Sequence, residues 1–97
     1  MSTIVITGST QGIGRGLAFE FCRRGHNVVV AGRNPERVEE TISALSKESG
    51  QAAGQTCDVA DCDHVQALWD LSINSFRNVD IWINNAGLAR TVWPILE

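Results

Sequence analysis

Residues 4–14 of the 97-residue chain read Ile-Val-Ile-Thr-Gly-Ser-Thr-Gln-Gly-Ile-Gly. The apolar run at 4–6 predicts a short buried strand, and the glycines that follow predict a tight turn into a helix. This order of elements builds a pyrophosphate site in α/β folds, because the unpaired amides at the helix N-terminus attract anions. The stretch therefore indicates a phosphate-bearing ligand, although a glycine-rich turn without a ligand would show the same glycines.

The remainder of the chain alternates between extended and helical patterns, which is typical of βαβ units. The three consecutive valines at 28–30 indicate a parallel strand that is buried on both faces. We therefore expect an α/β fold, the N-terminal half of a doubly wound parallel sheet (Rossmann fold), with about four parallel strands in the order 3-2-1-4 and three helices. The expected strands are Thr3–Thr7, Asn27–Ala31, Ala52–Val59 and Val79–Asn84, and the expected helices are Gly12–Arg24, Pro35 to before Gly50, and Cys62–Phe76.

Apolar side chains recur at helical spacing in the predicted helices and indicate the core. In the first helix this spacing predicts that an apolar stripe of Ile13, Leu17 and Phe21 faces the sheet, flanked by Ala18 and Cys22. In the third helix it places Trp69 in the core. Asn34 stands directly before a proline and is expected to cap the second helix.

The charge pattern argues against binding to nucleic acid. The formal net charge is -3, and the eight Lys and Arg residues are spread along the chain. No apolar stretch approaches the roughly 20 residues of a membrane span, and the first strand follows Met1 too closely for a signal or transit segment. We therefore expect a cytoplasmic protein that has neither nucleic acid nor a membrane as a partner.

The three cysteines are odd in number and show no Cys-x-x-Cys spacing, so they indicate reduced thiols. Cys57, Cys62 and His64 could be imagined as metal ligands, but a fourth ligand is not evident and Cys57 lies in a predicted buried strand. We therefore expect no metal site. Nothing provides Ser9 with a general base, so nucleophilic catalysis is not expected either.

Three motifs lie at the ends of predicted strands. They are Thr7-Gly8-x-x-x-Gly12-x-Gly14, then Asp58-Val59 after the third strand, and Asn84-Asn85-Ala86-Gly87 after the fourth. Together they resemble the short-chain dehydrogenase/reductase family, and the resemblance covers essentially the whole chain as the N-terminal half of such an enzyme. The family binds a nicotinamide dinucleotide, so the resemblance implies a cofactor site at these strand ends.

The resemblance assigns a cofactor contact to each motif. It implies that the phosphates are lined by Gly8, Gly12, Ile13 and Gly14. It implies that Asp58 and Val59 meet the adenine, and that the adenosine ribose lies beside Asn85, Ala86 and Gly87. Ser9 and Thr10 are loop hydroxyls that could cap the helix or touch phosphate.

The end of the second strand distinguishes the two nicotinamide cofactors. An acid there hydrogen-bonds the free 2′-OH of NAD, whereas an arginine pairs with the 2′-phosphate of NADP. Gly32 stands where the acid is expected, Arg33 follows at once, and Asn34 could add a donor besides its cap. These residues favour NADP over NAD, although Gln11 stands where some NADP-using relatives carry a second basic residue.

The chain has no tyrosine, and Lys47 is its only lysine. The resemblance implies a serine, a tyrosine and a lysine for proton transfer, and all three would come after the last residue of this sequence. We therefore expect residues 1–97 to be one incomplete NAD(P)-binding domain, without catalytic residues and inactive alone. The whole protein would be an NADP-dependent oxidoreductase that transfers a hydride between NADP(H) and a carbonyl or alcohol.

The resemblance also implies a small-molecule substrate, and we expect a homo-oligomer at full length. Residues 79–87, together with Trp93-Pro94-Ile95-Leu96, are similar to the corresponding stretch of chlorophyll b reductases, a subgroup of the family. The alternative is a nucleotide-binding module without catalysis, such as a sensor or a scaffold. A methyltransferase with a Rossmann-type fold is disfavoured by the three-residue gap between Gly8 and Gly12 and by the Asn-Asn-Ala-Gly stretch.

Overall fold

A parallel sheet forms the centre of the protein in this computed structural model, which describes residues 1–85. Its four strands in that range are β1 (Thr3–Ile6), β2 (Asn27–Gly32), β3 (Ala52–Thr56) and β4 (Ile81–Ile83). They run in the order β3-β2-β1-β4, which confirms the predicted order. In the register, Ile4 pairs with Val28 on one side and with Ile81 on the other. Because all four strands are parallel, their carboxyl ends meet at one edge of the sheet.

Helices cover both faces of this sheet within residues 1–85. They are α1 (Gly12–Arg23), α2 (Pro35–Leu45) and α3 (Cys62–Phe76). Successive strand residues point to opposite faces. One hydrophobic cluster joins Ile4 and Val28 to α1 and α2, and a second joins Val5 and Val29 to α3. No helix in the described part has the length and apolar character that crossing a bilayer requires.

Side-chain caps begin α2 and α3. Asn34 Oδ1 accepts hydrogen bonds from the amides of Glu36 at 2.9 Å and Arg37 at 3.2 Å, which confirms the expected cap. Asp61 Oδ1 accepts one from the amide of Asp63 at 2.9 Å. These bonds satisfy amides that a helix N-terminus otherwise leaves unpaired.

The buried face of α1 differs from the predicted one. Ile13 is 78% exposed, so its placement against the sheet is wrong. The buried residues are Gly14, Ala18 and Cys22, while Leu17 packs at the margin of the core. These small residues stand four apart on one face, and they let the helix approach the sheet closely while larger side chains lie on its flanks.

The predicted ends of two strands and the burial of one tryptophan are also wrong. The third strand ends at Thr56, and Val59 is 41% exposed in the loop that follows. The fourth strand is shorter than predicted, Ile81–Ile83. Trp69 is 43% exposed and packs against Trp82, with ring centroids 6.3 Å apart. A wide indole on the edge of the apolar stripe covers a neighbouring ring without reaching the sheet interior.

Candidate functional site

The loops that follow the four strands enclose a cavity of about 790 Å³ at the carboxyl edge of the sheet. Ligands of open α/β sheets bind outside this edge, and small-molecule sites measure roughly 300–1,000 Å³. The lining residues are Gly8, Thr10, Gln11, Gly12, Ile13, Gly32, Arg33, Asn34, Arg37, Cys57, Asp58, Val59, Ala60 and Asn85. The structure therefore brings most of the predicted site residues to one cavity. Ala86 and Gly87 lie outside the described residues.

The N-terminus of α1 opens into this cavity without a side-chain cap. Gln11 occupies the cap position, but its side chain caps no helix amide, and the first turn holds no acidic residue. The amides of Gly12 and Ile13 have no hydrogen-bond acceptor among residues 1–85. The other two helices described here are capped and carry an acid in the first turn. Unpaired amides at the positive end of the helix dipole give α1 the N-terminus that is suited to an anion.

The glycines of the turn serve two different purposes. Gly8 and Gly12 have φ angles of 64° and 62°, which a residue with a side chain adopts only at a cost. A Cβ on Gly12 would meet nothing within 4 Å, so a ligand has room to reach the backbone there. A Cβ on Gly14 would overlap the carbonyl oxygen of Gly8 and lie 2.5 Å from Asn85 Nδ2. The glycine at 14 is thus required by the packing of the protein itself.

Asn85 joins the end of β4 to the glycine turn. Its side-chain Nδ2 donates to the carbonyl oxygen of Gly8 at 2.9 Å, and its amide donates to Thr7 Oγ1 at 3.1 Å. The amide of Thr7 in turn donates to the carbonyl oxygen of Ile83 at 3.0 Å. Asn85 therefore holds the glycine turn in place. The sequence predicted only a ribose contact for this residue and not this structural role.

Ser9 lies inside the protein and does not line the cavity. Its side chain is fully buried, its Oγ donates to the carbonyl oxygen of Ile6 at 2.7 Å, and it accepts from the amide of Ala31 at 2.9 Å. The hydroxyl thus connects the ends of β1 and β2 beneath the turn. The predicted phosphate contact through this hydroxyl has no support in the geometry, because its hydrogen bonds all go to the protein backbone.

Replacement of Ser9 with alanine is expected to lower the free energy of unfolding by about 1–3 kcal/mol, because the buried amide of Ala31 loses its acceptor. Equilibrium denaturation in urea measures this loss. Ser46→Ala is the matched control, since its exposed hydroxyl donates to the carbonyl oxygen of Ser43 at 2.6 Å. The control should change stability by less than about 0.5 kcal/mol. Equal effects of the two substitutions would contradict a structural role for Ser9.

Two residues characterise the end of β2. Gly32 has no room for a side chain, and Arg33 is a cation without a partner among residues 1–85. A Cβ on Gly32 would lie 2.9 Å from both Cγ2 and Oγ1 of Thr10. Arg33 follows, exposed at the cavity wall, and its guanidinium has no hydrogen bond or ion pair among residues 1–85. This position therefore offers a positive charge and no carboxylate.

The β3–α3 loop is held by hydrogen bonds that the sequence did not indicate. The amide of Asp58 donates to His64 Nδ1 at 3.0 Å, and Asp58 Oδ1 accepts from the amide of Ala60 at 3.0 Å. His64 is exposed, yet it fixes the backbone of the residue that was predicted to meet the adenine. Val59 is exposed next to it and offers an apolar surface to the cavity.

Arg37 is a cavity residue that the sequence reasoning missed. It lies in the first turn of α2 and lines the cavity together with Arg33. Its Nη1 donates to Gln11 Oε1, which connects α2 to the glycine turn. The available indication was its position, four residues after Arg33 and three after the Asn34 cap.

The cysteine at the cavity floor is protonated in the neutral range. Burial raises the pKa of the Cys57 thiol above its usual value, and the nearby carboxylates of Asp58 and Asp61 raise it further. A neutral thiol is neither a nucleophile nor a metal ligand. Residues 1–85 contain no group of three or more His, Cys, Asp or Glu side chains that could hold a metal ion.

Comparison with known protein families identifies the family to which this chain belongs. The family model described as short chain dehydrogenase matches residues 2–95. The chain belongs to the short-chain dehydrogenase family. The parallel sheet, the uncapped first helix and the glycine turn are therefore the nucleotide-binding region of a dehydrogenase/reductase fold.

Relatives of this family match the chain over most of its length. Chlorophyll(ide) b reductase NOL, chloroplastic, of Oryza sativa subsp. japonica is 48% identical over an alignment of 97 positions, which covers 97% of this chain and 28% of that protein. 3beta-hydroxysteroid dehydrogenase 1 of Eggerthella lenta is 42% identical over 87 residues, 89% of this chain and 33% of that protein. The crystal structure of an actinorhodin polyketide ketoreductase variant with NADPH aligns with a TM-score of 0.84 at 32% identity, over 89% of this chain and 33% of that one. The chain thus spans no more than about a third of the length of these proteins.

Proposed function

We propose that this chain is the cofactor-binding half of an NADP-dependent oxidoreductase, which transfers a hydride between NADP(H) and a carbonyl or alcohol of a small molecule. One observation supports it above the others. The uncapped N-terminus of α1 and the unpaired guanidinium of Arg33 open into the same cavity. The first suits a pyrophosphate and the second suits a 2′-phosphate.

The residues present fit the adenosine-diphosphate half of such a cofactor. The amides of Gly12 and Ile13 would hold the pyrophosphate, since they lack acceptors in the described part and a Cβ on Gly12 would meet only open space. Asp58 and Val59 would flank the adenine from the opposite wall. The crystal structure of the related ketoreductase is one with NADPH, which agrees with this cofactor class.

We propose that no catalytic residue lies within residues 1–97. The nicotinamide supplies or accepts the hydride when bound, but proton transfer in the family requires the tyrosine that this sequence lacks. Lys47 follows the C-terminal end of α2, at the end of that helix opposite to the cavity. We therefore propose that serine, tyrosine and lysine residues in further sequence complete the site, and that residues 1–97 alone are inactive.

A second candidate is a nucleotide-binding module without catalysis, and the absence of tyrosine favours it. The coding sequence beyond Glu97 separates the two. A serine-bearing strand and a Tyr-x-x-x-Lys helix within about one further βαβ unit, which is 30 residues or more, would support the enzyme. Their absence would favour the module.

The substrate is a small molecule with a carbonyl or a hydroxyl group. One relative is a chlorophyll(ide) b reductase and another is a 3beta-hydroxysteroid dehydrogenase, so relatives of similar identity act on different substrate classes. Homo-oligomerisation at full length and a cytoplasmic location stay predictions, and the rice relative is a chloroplastic protein.

The cofactor preference gives the direct test of this proposal. NADPH is expected to bind more tightly than NADH, and Arg33→Ala is expected to weaken NADPH by about tenfold to a hundredfold, because a hydrogen bond to a charged group contributes about 1.5–3 kcal/mol. NADH binding should change little. Isothermal titration calorimetry with both cofactors measures the ratio.

The matched control for Arg33 is another exposed arginine away from the cavity. Arg24 on α1 pairs with Glu20 at 2.7 Å, so Arg24→Ala removes the same charge without touching the site. A preference for NADPH that survives Arg33→Ala would contradict the assignment of Arg33. A protein that binds neither cofactor would contradict the nucleotide-binding proposal itself.

A further inference from the structure

We propose that Arg37 is a second residue that binds the 2′-phosphate of the cofactor, and that Gln11 is the positioning residue that holds Arg37 at the cavity wall. The inference rests on the proposed NADP function of this cavity. It adds a residue of α2 and a link from this helix to the glycine turn, and neither belongs to the three motifs found in the sequence.

Hydrogen bonds hold both the backbone and the side chain of Arg37. Its amide donates to Asn34 Oδ1 at 3.2 Å, which fixes the first turn of α2. Its Nη1 donates to Gln11 Oε1 across the mouth of the cavity. The bond to Gln11 directs the guanidinium toward the glycine turn, and Arg37 and Arg33 line the same cavity.

The positive charges of Arg33 and Arg37 at this cavity are not neutralised by ion pairs within residues 1–85. Neither Arg33 nor Arg37 has a carboxylate partner there, whereas Arg24 pairs with Glu20 on the surface of α1. Asp58 lines the cavity as well, but it forms no ion pair with either arginine in the described range. Two guanidinium groups that face one cavity repel each other, and a phosphate placed between them would remove this repulsion.

Gln11 is suited to hold an arginine without neutralising it. A guanidinium has five N–H donors, and the neutral amide oxygen of Gln11 accepts from one of its nitrogens. The remaining donors and the full charge stay available for a phosphate. The sequence suggested that Gln11 weakens the NADP assignment, because it replaces a basic residue. The structure shows instead that Gln11 contacts a basic residue from the next helix.

Three variants test the inference by calorimetric titration with NADPH and NADH. Arg37→Ala is expected to weaken NADPH by about tenfold and NADH by less than about twofold. Gln11→Ala should weaken NADPH by about threefold, and it should add no further loss to Arg37→Ala, because the two residues act as one unit. Gln11→Glu should weaken NADPH more than Gln11→Ala, since its carboxylate opposes the 2′-phosphate and neutralises Arg37.

The outcomes separate this inference from the proposal on which it rests. Wild-type protein that prefers NADPH, combined with an unchanged NADPH affinity in Arg37→Ala, would overturn the role of Arg37 alone. Equal losses for NADPH and NADH would overturn it too, because they indicate a structural effect. Additive losses for Gln11→Ala and Arg37→Ala would overturn the positioning role of Gln11. Wild-type protein without a preference for NADPH would overturn the NADP assignment. Arg24→Ala and thermal melts of every variant are the controls.

Discussion

The Gly14→Ala variant is expected to lose about 1–3 kcal/mol of stability and most of its cofactor affinity, because one added methyl group enters a fully packed contact. The new Cβ would overlap the carbonyl oxygen of Gly8 and lie 2.5 Å from Asn85 Nδ2. Both neighbours belong to the glycine turn or to its support, and a backbone carbonyl cannot rotate away as a flexible side chain can. The turn must therefore move, and with it the amides that are proposed to hold the pyrophosphate.

Gly16→Ala is the control for this variant, and it should have the opposite effect on stability. Gly16 is exposed on the same helix, and a Cβ there would meet nothing within 4 Å. Alanine is favoured over glycine in a helix by about 1 kcal/mol, so this variant should melt at a higher temperature than the wild type. Calorimetric melts and cofactor titration compare the two. A loss of stability in Gly16→Ala similar to that in Gly14→Ala would show that general helix effects, and not the contact with Gly8, govern position 14.

The second large effect is expected for Gly32→Asp, which places an acid where NAD-binding folds carry one. The carboxylate opposes a 2′-phosphate, so NADPH binding should weaken by about tenfold to a hundredfold. NADH should not bind more tightly to this single variant, because the new Cβ lies 2.9 Å from Cγ2 and Oγ1 of Thr10. The acid therefore cannot take up its position until Thr10 moves.

Replacing Thr10 with alanine removes its Cγ2 and Oγ1 atoms. This second substitution should complete the change of preference from NADPH to NADH. In the Thr10→Ala/Gly32→Asp double variant the remaining Cβ of Thr10 lies at 3.5 Å, an ordinary contact distance. NADH should then bind about tenfold more tightly than to Gly32→Asp alone, as one charge-assisted hydrogen bond to the 2′-OH would give. Titration of both cofactors against the single and double variants measures this coupling.

Gly32→Asn separates charge from size in the same experiment. Asparagine makes the same contact with Thr10 but carries no charge, so it should weaken NADPH less than aspartate does. If Gly32→Asp alone already favoured NADH, the contact with Thr10 would have no influence on cofactor choice. Equal losses for asparagine and aspartate would show that size, and not charge, determines the effect at this position.

The sequence predicted the fold class correctly because strands, turns and helix starts are indicated by patterns of neighbouring residues. The valine run of β2 and the glycines between β1 and α1 indicated a parallel strand and a helix entry, and the strand order β3-β2-β1-β4 confirms the topology. Asn34 was correctly predicted as a cap, because a cap bonds to amides two and three residues away. Arg33 directly follows a strand end and lines the cavity, and its contact with the cofactor stays a prediction.

The errors occur where distant parts of the chain meet. Helical spacing identified an apolar stripe on α1, but it did not reveal that Gly14, Ala18 and Cys22 form the buried face while Ile13 faces outward. Ser9 does lie in the turn, but the sequence did not reveal that its hydroxyl is buried and accepts from the amide of Ala31, 22 residues away. Burial on a helix depends on how closely the helix packs against the sheet, and spacing along one element contains no such information.

The sequence by itself determined that a parallel sheet carries a glycine-rich turn and an arginine at its carboxyl edge, because strand, turn and helix propensities act over a few neighbouring residues. Only the tertiary structure decided which side chains complete that edge. Gln11 and Arg37 are 26 residues apart, and Asn85 lies 77 residues from Gly8. These pairs meet because β2 and β4 flank β1 in register, and that arrangement results from the packing of the whole sheet.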